Sequence, residues 1–411
     1  MKKHPFANLI ILAFSIVFAL LLGEGMVRLV GETDENGQFY FMERPLRPYR
    51  LVAGKSALLV DEYLQNPTSY VVYDEYLGWS IRPNATSENG LYHSNAQGIR
   101  ADVEYEKTPS PGVLRIAMFG DSYTHGDHAS LEESWGYQLE RLLRERGINA
   151  EVINFGVGGY GMDQAYLRWQ IEGRDYQPDI VLFGFQAENA LRNANVVRLI
   201  YRPVSGIPFS KPKFITDGDT LTLVNSPTVP PEQMPELMAT FAESPLAQYE
   251  YYFNNDDSFY NEYWWTNSKL LTLFLDVLAS EREEGPVSTT NYYNHAEYYA
   301  MDDEPAQLTV AIIEAFEAGV EADGAEFIIV HLPRRTFLKR IRKDEPLPYA
   351  DLLAYLDEHH DVVHTEDGMT ELPADDYFDR HFSVEGNLAV ATMVADEIYS
   401  RVSSSPDANP N

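Results

Sequence analysis

"IAMFGDSYTHGDHA" (residues 116–129) is an apolar run that stops at Phe119-Gly120 and turns at once into an acid, a hydroxyl and turn-forming residues. The apolar part reads as a strand buried on both faces of a parallel sheet. Gly, Asp and Ser are ordinary turn residues, so Gly120-Asp121-Ser122 admits a plain turn. It equally admits a nucleophile on Ser122, because open α/β sheets place their chemistry beyond the C-terminal ends of the strands. What lies downstream has to decide.

The same pattern recurs. "VLRIAMF" (113–119), "AEVINF" (150–155), "DIVLFGF" (179–185) and "AEFIIVHLP" (325–333) are short, apolar and β-rich, and "DVVHT" (361–365) is a weaker fifth run. Amphipathic stretches at 131–147, 162–173, 304–324, 348–360 and 384–402 alternate with them, the first closed by Gly147. Strand–helix alternation predicts right-handed crossovers and a three-layer α/β/α sandwich around a mainly parallel, about five-stranded, flavodoxin-like sheet over 111–402. Residues of about 205–303 break the alternation with Pro-rich loops and aromatic clusters such as "QYEYYFNNDDSFYNEYWWTN" (248–267). They read as an insertion with a helix at 267–283, its aromatics forming either a ligand cleft or a satellite core. The polar tail, 403–411, is expected to be disordered.

The chain begins "MKKHPFANLIILAFSIVFALLLGEGMVRLV", with an apolar run from Phe6 to Gly23. A spanning helix needs roughly 17–25 apolar residues, and this run is just long enough. A cleaved signal peptide is the competing reading, but no small-x-small site follows, and Glu24 and Arg28 come directly after the run. Residues 1–23 are therefore expected to be an uncleaved anchor. Lys2 and Lys3 place the N-terminus in the cytoplasm and all that follows outside it. Residues 24–110, rich in Tyr, Pro, Asn and Gly, read as irregular structure with short strands packed on the core. The formal charge is −32, from 63 acidic and 31 basic residues, which disfavours nucleic acid as a partner. With no cysteine, disulfides, thiolate metal sites and cysteine nucleophiles are excluded.

A serine nucleophile needs a base, and the base an orienting group. His381, in "YFDRHFSVEGN" just before the last helix, stands at the same sheet edge, with Asp379 two residues earlier. An isolated Asp-x-His also arises as a loop salt bridge. Acyl transfer further needs donors for an oxyanion. "NFGVGGYGMDQ" (154–164) packs four glycines into six residues, which lets backbone N–H groups approach a ligand. "FGFQAENALRN" (183–193) follows the third strand and offers the Asn189 amide. Nucleophile, glycine loop, amide and histidine thus fall after successive strands on one edge. His125, Asp127 and His128 in "THGDH" form a possible metal set, but a supporting or exposed role in the nucleophile loop suits them better, with no third ligand at a recognisable spacing.

This arrangement resembles the SGNH hydrolase superfamily, the GDSL-type esterases and lipases. "FGDSYTHG" is similar to its first block, with Ser122 as nucleophile. Gly159 corresponds to the second-block glycine, Asn189 to the third-block asparagine and His381 to the last-block histidine. "YLGWSIRPN…SNAQGIRADVEY" also resembles the segment preceding the core in membrane-anchored bacterial members. There are two departures. Glu188-Asn189-Ala190 lacks the usual third-block aspartate, and Phe378 stands where the last block carries its acid. Asp379-Arg380-His381 instead resembles the spacing of SGNH-like alginate acetylation proteins, with Asp376 as a fallback acid.

The resemblance implies an exported serine esterase or O-acyltransferase, most simply an acetyl one. Ser122, His381 and Asp379 would carry catalysis, and Ser122, Gly159 and Asn189 the oxyanion hole, with no metal or organic cofactor. Its substrate would be an acyl ester of a polysaccharide, a cell-wall glycan or a lipid. The catalytic domain would lie on the periplasmic or extracellular side of the cell membrane. The rival class is a non-catalytic glycan-binding or polysaccharide-assembly protein that retains the fold.

Overall fold

The structure is a computed structural model, and it describes residues 5–34, 37–42, 44–51, 53–217, 220–254, 260, 262–280 and 292–404. Five parallel strands form the central sheet: β1 (Leu114–Gly120), β2 (Ala150–Asn154), β3 (Ile180–Phe185), β4 (Glu326–His331) and β5 (Val362–His364). Their spatial order is β5-β4-β3-β1-β2. The order of winding therefore reverses between β1 and β3, the point at which loops diverge and leave a crevice at the C-terminal edge.

Period-two alternation sends side chains to two separate cores. Ala117, Phe119, Ile153, Val181, Phe183 and Ile329 face one layer, against the helices Met162–Ile171, Glu304–Ala322 and Ala350–His359. Ile116, Met118, Val152, Leu182, Ile328 and Val330 face the other, against Trp135–Glu145 and Val384–Ser404. Both faces are buried, as the unbroken apolar runs require. Each fully buried Ile, Leu or Phe contributes roughly 1.5–3 kcal/mol relative to exposure.

The upstream segment is part of the same core. A hairpin of Val71–Asp74 and Gly78–Ile81 inserts Leu77, Trp79 and Ile81, all buried. The insertion holds a second hairpin, Lys213–Asp217 with Thr220–Val224, and short helices at Met234–Ala239 and Tyr251–Asn254 besides the expected one, found at Lys269–Ser280. Asn267 and Ser268 stand before it, and residues 281–283 of the expected helix lie outside the described residues. Tyr251, Tyr252, Tyr298 and Tyr299 are buried in the main core, and the Tyr252 hydroxyl donates to Leu191 O at 2.7 Å. Those aromatics therefore extend the principal core. The last helix runs on to Ser404, and the tail beyond it lies outside the described residues.

Helix Pro5–Val30 is long and apolar enough to cross a membrane, and only 6% of its apolar window is buried. At about 1.5 Å per residue its 26 residues exceed the ~30 Å of a hydrocarbon core. Its C-terminal turn docks on the insertion. The Glu24 carboxylate accepts from Lys269 N at 3.0 Å, Leu270 N at 2.9 Å and Ser268 Oγ at 2.9 Å, capping helix Lys269–Ser280.

Candidate active site

The turn after β1 is built by Asp121. Its carboxylate caps the four-residue helix Ser122–His125 by accepting from Tyr123 N at 2.9 Å, which leaves Ser122 at the first helical position. The other carboxylate oxygen accepts from Arg192 Nη1 at 2.7 Å and Asn189 Nδ2 at 3.0 Å, all in the interior. Asp121 therefore ties the Ser122 turn to the loop after β3. Gly120 and Gly184 allow this approach, since a Cβ on either would collide with Thr124 Oγ1.

The expected serine and histidine meet, although 259 residues separate them. Ser122 Oγ lies 2.8 Å from His381 Nε2, and Ser122 is only 8% exposed. Burial lowers the His381 pKa to about 4, against the opposing pull of the Asp127 and Asp121 carboxylates. His381 is thus neutral at neutral pH, the state in which Nε2 accepts the serine proton.

The expected acid does not meet the histidine. Phe378–Asp379 and His381–Phe382 form a tight hairpin turned by Arg380 at φ 62°, and Asp379 is exposed on it. No hydrogen bond joins Asp379 to His381, and exposed Asp376 makes none to it either. The place expected for a carboxylate is taken by His128, whose Nδ1 lies 2.8 Å from His381 Nδ1. The two rings stack with centroids 4.9 Å apart. When Nε2 of His381 accepts from Ser122, its Nδ1–H donates to the His128 Nδ1 lone pair.

His128 is held in place by residues that local pattern reading does not find. It adopts φ 70°, a left-handed conformation uncommon outside glycine, and its N–H donates to Tyr92 Oη at 2.8 Å. Arg100 pins the same loop, donating to His125 O at 2.5 Å, Gly126 O at 2.8 Å and Ala129 O at 2.6 Å. The His125 Nδ1–H donates to Asp127 at 2.6 Å, and the Tyr70 hydroxyl donates to His125 Nε2 at 3.0 Å. Burial pushes His125 towards its neutral form. Burial also opposes ionisation of Asp127, but the His125 hydrogen bond and the neighbouring imidazoles outweigh it and keep the carboxyl below its usual range. The triplet His125, Asp127 and His128 thus supports the loop.

Of the three expected oxyanion donors, two are free. Neither the Ser122 nor the Gly159 N–H has a hydrogen-bond partner among the described residues. Gly159 has φ 83°, which favours glycine, and a Cβ there would lie 3.3 Å from Ile207 Cδ1 and 3.5 Å from Trp79 Cζ2. The Asn189 amide is committed elsewhere. Its Nδ2 donates to Asp121 and to Tyr160 O at 3.2 Å, and its Oδ1 accepts from Gln186 N at 2.8 Å. Asn189 braces the loop between β1 and β3, and both its amide hydrogens are used there.

Among the described residues, His331, His364 and Glu366 are the group able to hold a metal ion, with their ligand atoms within 4.8 Å of one another. They already satisfy one another. Glu366 accepts from His331 Nδ1 at 2.8 Å and His364 Nδ1 at 3.0 Å, while Tyr349 and Asp357 engage the far ring nitrogens. The Glu366 hydrogen bond raises His364 to a pKa of about 9, so the cluster is a charge-assisted clamp between the ends of β4 and β5.

No curated protein sequence matches the chain. Solved structures that resemble it include a lipase/acylhydrolase from Enterococcus faecalis, at 15% identity over 70% of this chain and 96% of that one, TM-score 0.34. A catalytic mutant of an acetylxylan esterase from Geobacillus stearothermophilus aligns at 12% identity over 69% and 94%, TM-score 0.34. A GDSL-like lipase from Bacteroides thetaiotaomicron aligns at 11% over 70% and 89%, TM-score 0.31. Residues 118–200, which span the Ser122 turn, the glycine loop and the loop after β3, match the model of the GDSL-like lipase/acylhydrolase family.

Proposed function

We propose that the protein is a membrane-tethered, extracytoplasmic serine esterase or O-acyltransferase working through an acyl-enzyme on Ser122. The observation that carries this reading is the 2.8 Å contact between Ser122 Oγ and His381 Nε2, beside two unpartnered backbone N–H groups. Ser122 Oγ attacks the ester carbonyl while its proton passes to His381 Nε2. The oxyanion forms against the Ser122 and Gly159 N–H groups. Collapse of the tetrahedral species expels the alcohol, which takes the proton from His381. Water or a sugar hydroxyl then gives its proton to His381, attacks the acyl carbon and regenerates Ser122. Hydrolysis and transfer differ only in that second nucleophile. His128 takes the orienting role in this scheme, and Asp127 supplies the nearby negative charge. The substrate is an acyl ester, of which a glycan ester such as an acetylated polysaccharide is the favoured class.

The experiment is labelling of the purified full-length protein with a fluorophosphonate, followed by peptide mapping. Labelling at Ser122, abolished in Ser122→Ala, is expected. Absence of label on folded protein would leave the non-catalytic binding protein as the better account. An extracytoplasmic domain on a retained anchor predicts that a reporter fused after residue 40 is exported and that the protein stays with the membrane fraction.

A further inference from the structure

The loop after β3 gathers four guanidiniums in a chain whose formal charge is −32. Arg192, Arg202 and Arg334 all converge on the fully buried Glu188 carboxylate, with Arg192 at 3.3 Å and Arg202 at 3.4 Å. Arg192 also bridges to Asp121. The fourth, Arg198, has no such partner. It is 5% exposed, its Nε and Nη1 lie buried without a hydrogen bond, and it forms no ion pair among the described residues, its guanidinium lying only over the Tyr201 ring at 5.5 Å from the centroid. Four arginines, Arg202 among them partly exposed, stand against Glu188 and Asp121 and leave an excess of positive charge around this loop.

Burying an unpaired charge costs several kcal/mol, and natural proteins rarely bear that without a compensating partner. Burial and the repulsion of Arg192 lower the Arg198 pKa to about 9, so the side chain stays charged at neutral pH. Its position supplies the missing partner's identity. Arg198 Nη2 lies 3.7 Å from where a Cβ on Gly159 would sit, which places the guanidinium beside the proposed oxyanion glycine. Trp79 and Ile207 close the same point with apolar surface.

We propose that Arg198 is a specificity-determining residue that binds an anionic group, a carboxylate or phosphate, carried by the substrate next to its scissile ester. The inference rests on the serine-esterase reading and sharpens it from acyl esters at large to negatively charged ones. An incoming carboxylate or phosphate at the Gly159 side would receive a charge-assisted hydrogen bond from Nη2, the guanidinium nitrogen nearest that glycine. It would also neutralise the excess charge, which a neutral ester cannot do. Arg198 makes none of the contacts that hold Asp121 or His381 in place.

The test compares three acetyl esters on the full-length protein: a neutral glycoside, the corresponding uronate and glycerol 3-phosphate. Wild-type kcat/KM is expected to favour at least one charged ester over the neutral one, and the preferred one distinguishes a uronate-type carboxylate from a phosphate. In Arg198→Gln the charged-to-neutral ratio should fall by about 10–100-fold, mainly through KM, the range for losing charge-assisted hydrogen bonds. Arg198→Lys, which keeps the charge, should recover part of it. Equal losses on charged and neutral esters would overturn the proposal, as would a wild-type enzyme indifferent to charge. If Arg198→Gln does not fold, binding of the deacetylated uronate and of glycerol 3-phosphate to Ser122→Ala protein by calorimetry decides. Binding of either anion but not the neutral glycoside, weakened by salt, is expected, and its absence refutes the subsite. Failure of the esterase reading is separate, because it would appear as loss of fluorophosphonate labelling and of turnover on all three esters.

Discussion

Replacing His128 by glycine removes the ring that contacts His381 and leaves the φ of 70° unstrained, so backbone cost does not obscure the result. The 2.8 Å Nδ1–Nδ1 hydrogen bond disappears with the ring. In the resting enzyme His381 is neutral, and such a bond contributes about 0.5–1.5 kcal/mol. When His381 accepts the serine proton its Nδ1–H becomes charge-assisted, and the bond strengthens to about 1.5–3 kcal/mol. Only the difference, about 1–1.5 kcal/mol, bears on the transition state, so turnover of p-nitrophenyl acetate should fall about 5–13-fold in His128→Gly. This is less than the ~10⁴-fold that follows disabling a directly bonded carboxylate in a serine protease triad. His128→Asn provides the control, since asparagine tolerates this conformation and its amide oxygen can accept from His381 in place of Nδ1. It should restore a good part of the rate. Asp379→Asn should stay within about threefold of wild type, because Asp379 is exposed and unbonded to the imidazole. Thermal melts on each variant separate catalysis from folding. A His128→Gly enzyme as fast as wild type, or a loss above about 100-fold in Asp379→Asn, would refute the arrangement.

Three further expectations follow from the same geometry. The base works only when neutral and burial depresses His381 to about 4, so the acid limb of kcat/KM should lie near pH 4, well below an ordinary histidine; a limb near 6.5 in a pH–rate profile contradicts this. Asn189→Ala should act on stability, lowering it by about 1–3 kcal/mol in denaturant titrations as the buried Asp121 carboxylate and Tyr160 carbonyl lose a donor; a loss of kcat of about 10²–10³-fold with unchanged stability would restore its oxyanion role. His364 has a folded pKa raised to about 9 by Glu366, so its contribution is fully present below its unfolded value of about 6.5 and is lost as pH rises through 9. Melting temperature should fall across that window in wild type, and His364→Gln should flatten the fall.

Much of this molecule is legible along the chain because hydrophobic periodicity is a local property. The five apolar runs become β1 to β5, and the alternation of Ile116 and Met118 with Ala117 and Phe119 already implies two cores. Ser122 and His381 are legible because each follows a strand or precedes a helix at one sheet edge, and the sheet then brings them together. The insertion is harder to read. Its aromatics serve the main core, and nothing in a cluster of tyrosines specifies which surface will cover it.

The orienting group, the bracing amide and the lone arginine were decided only by tertiary structure. Asp379 is near His381 in sequence, yet a tight hairpin leaves it exposed, while His128 arrives from 253 residues away on a loop pinned by Arg100 and Tyr92. Asn189 carries the residue type an oxyanion hole needs, but buried Asp121 needs donors more and takes its hydrogens inward. Nothing along the chain sets Arg198 apart from Arg192 or Arg202, and only the carboxylate partners that the fold supplies show which arginine lacks one. Residue order determines which segments form strands and helices, because that depends on neighbours a few positions apart. Which polar groups pair is determined by burial and by chain crossings, since a donor's partner is whatever acceptor the fold leaves within about 3 Å of it.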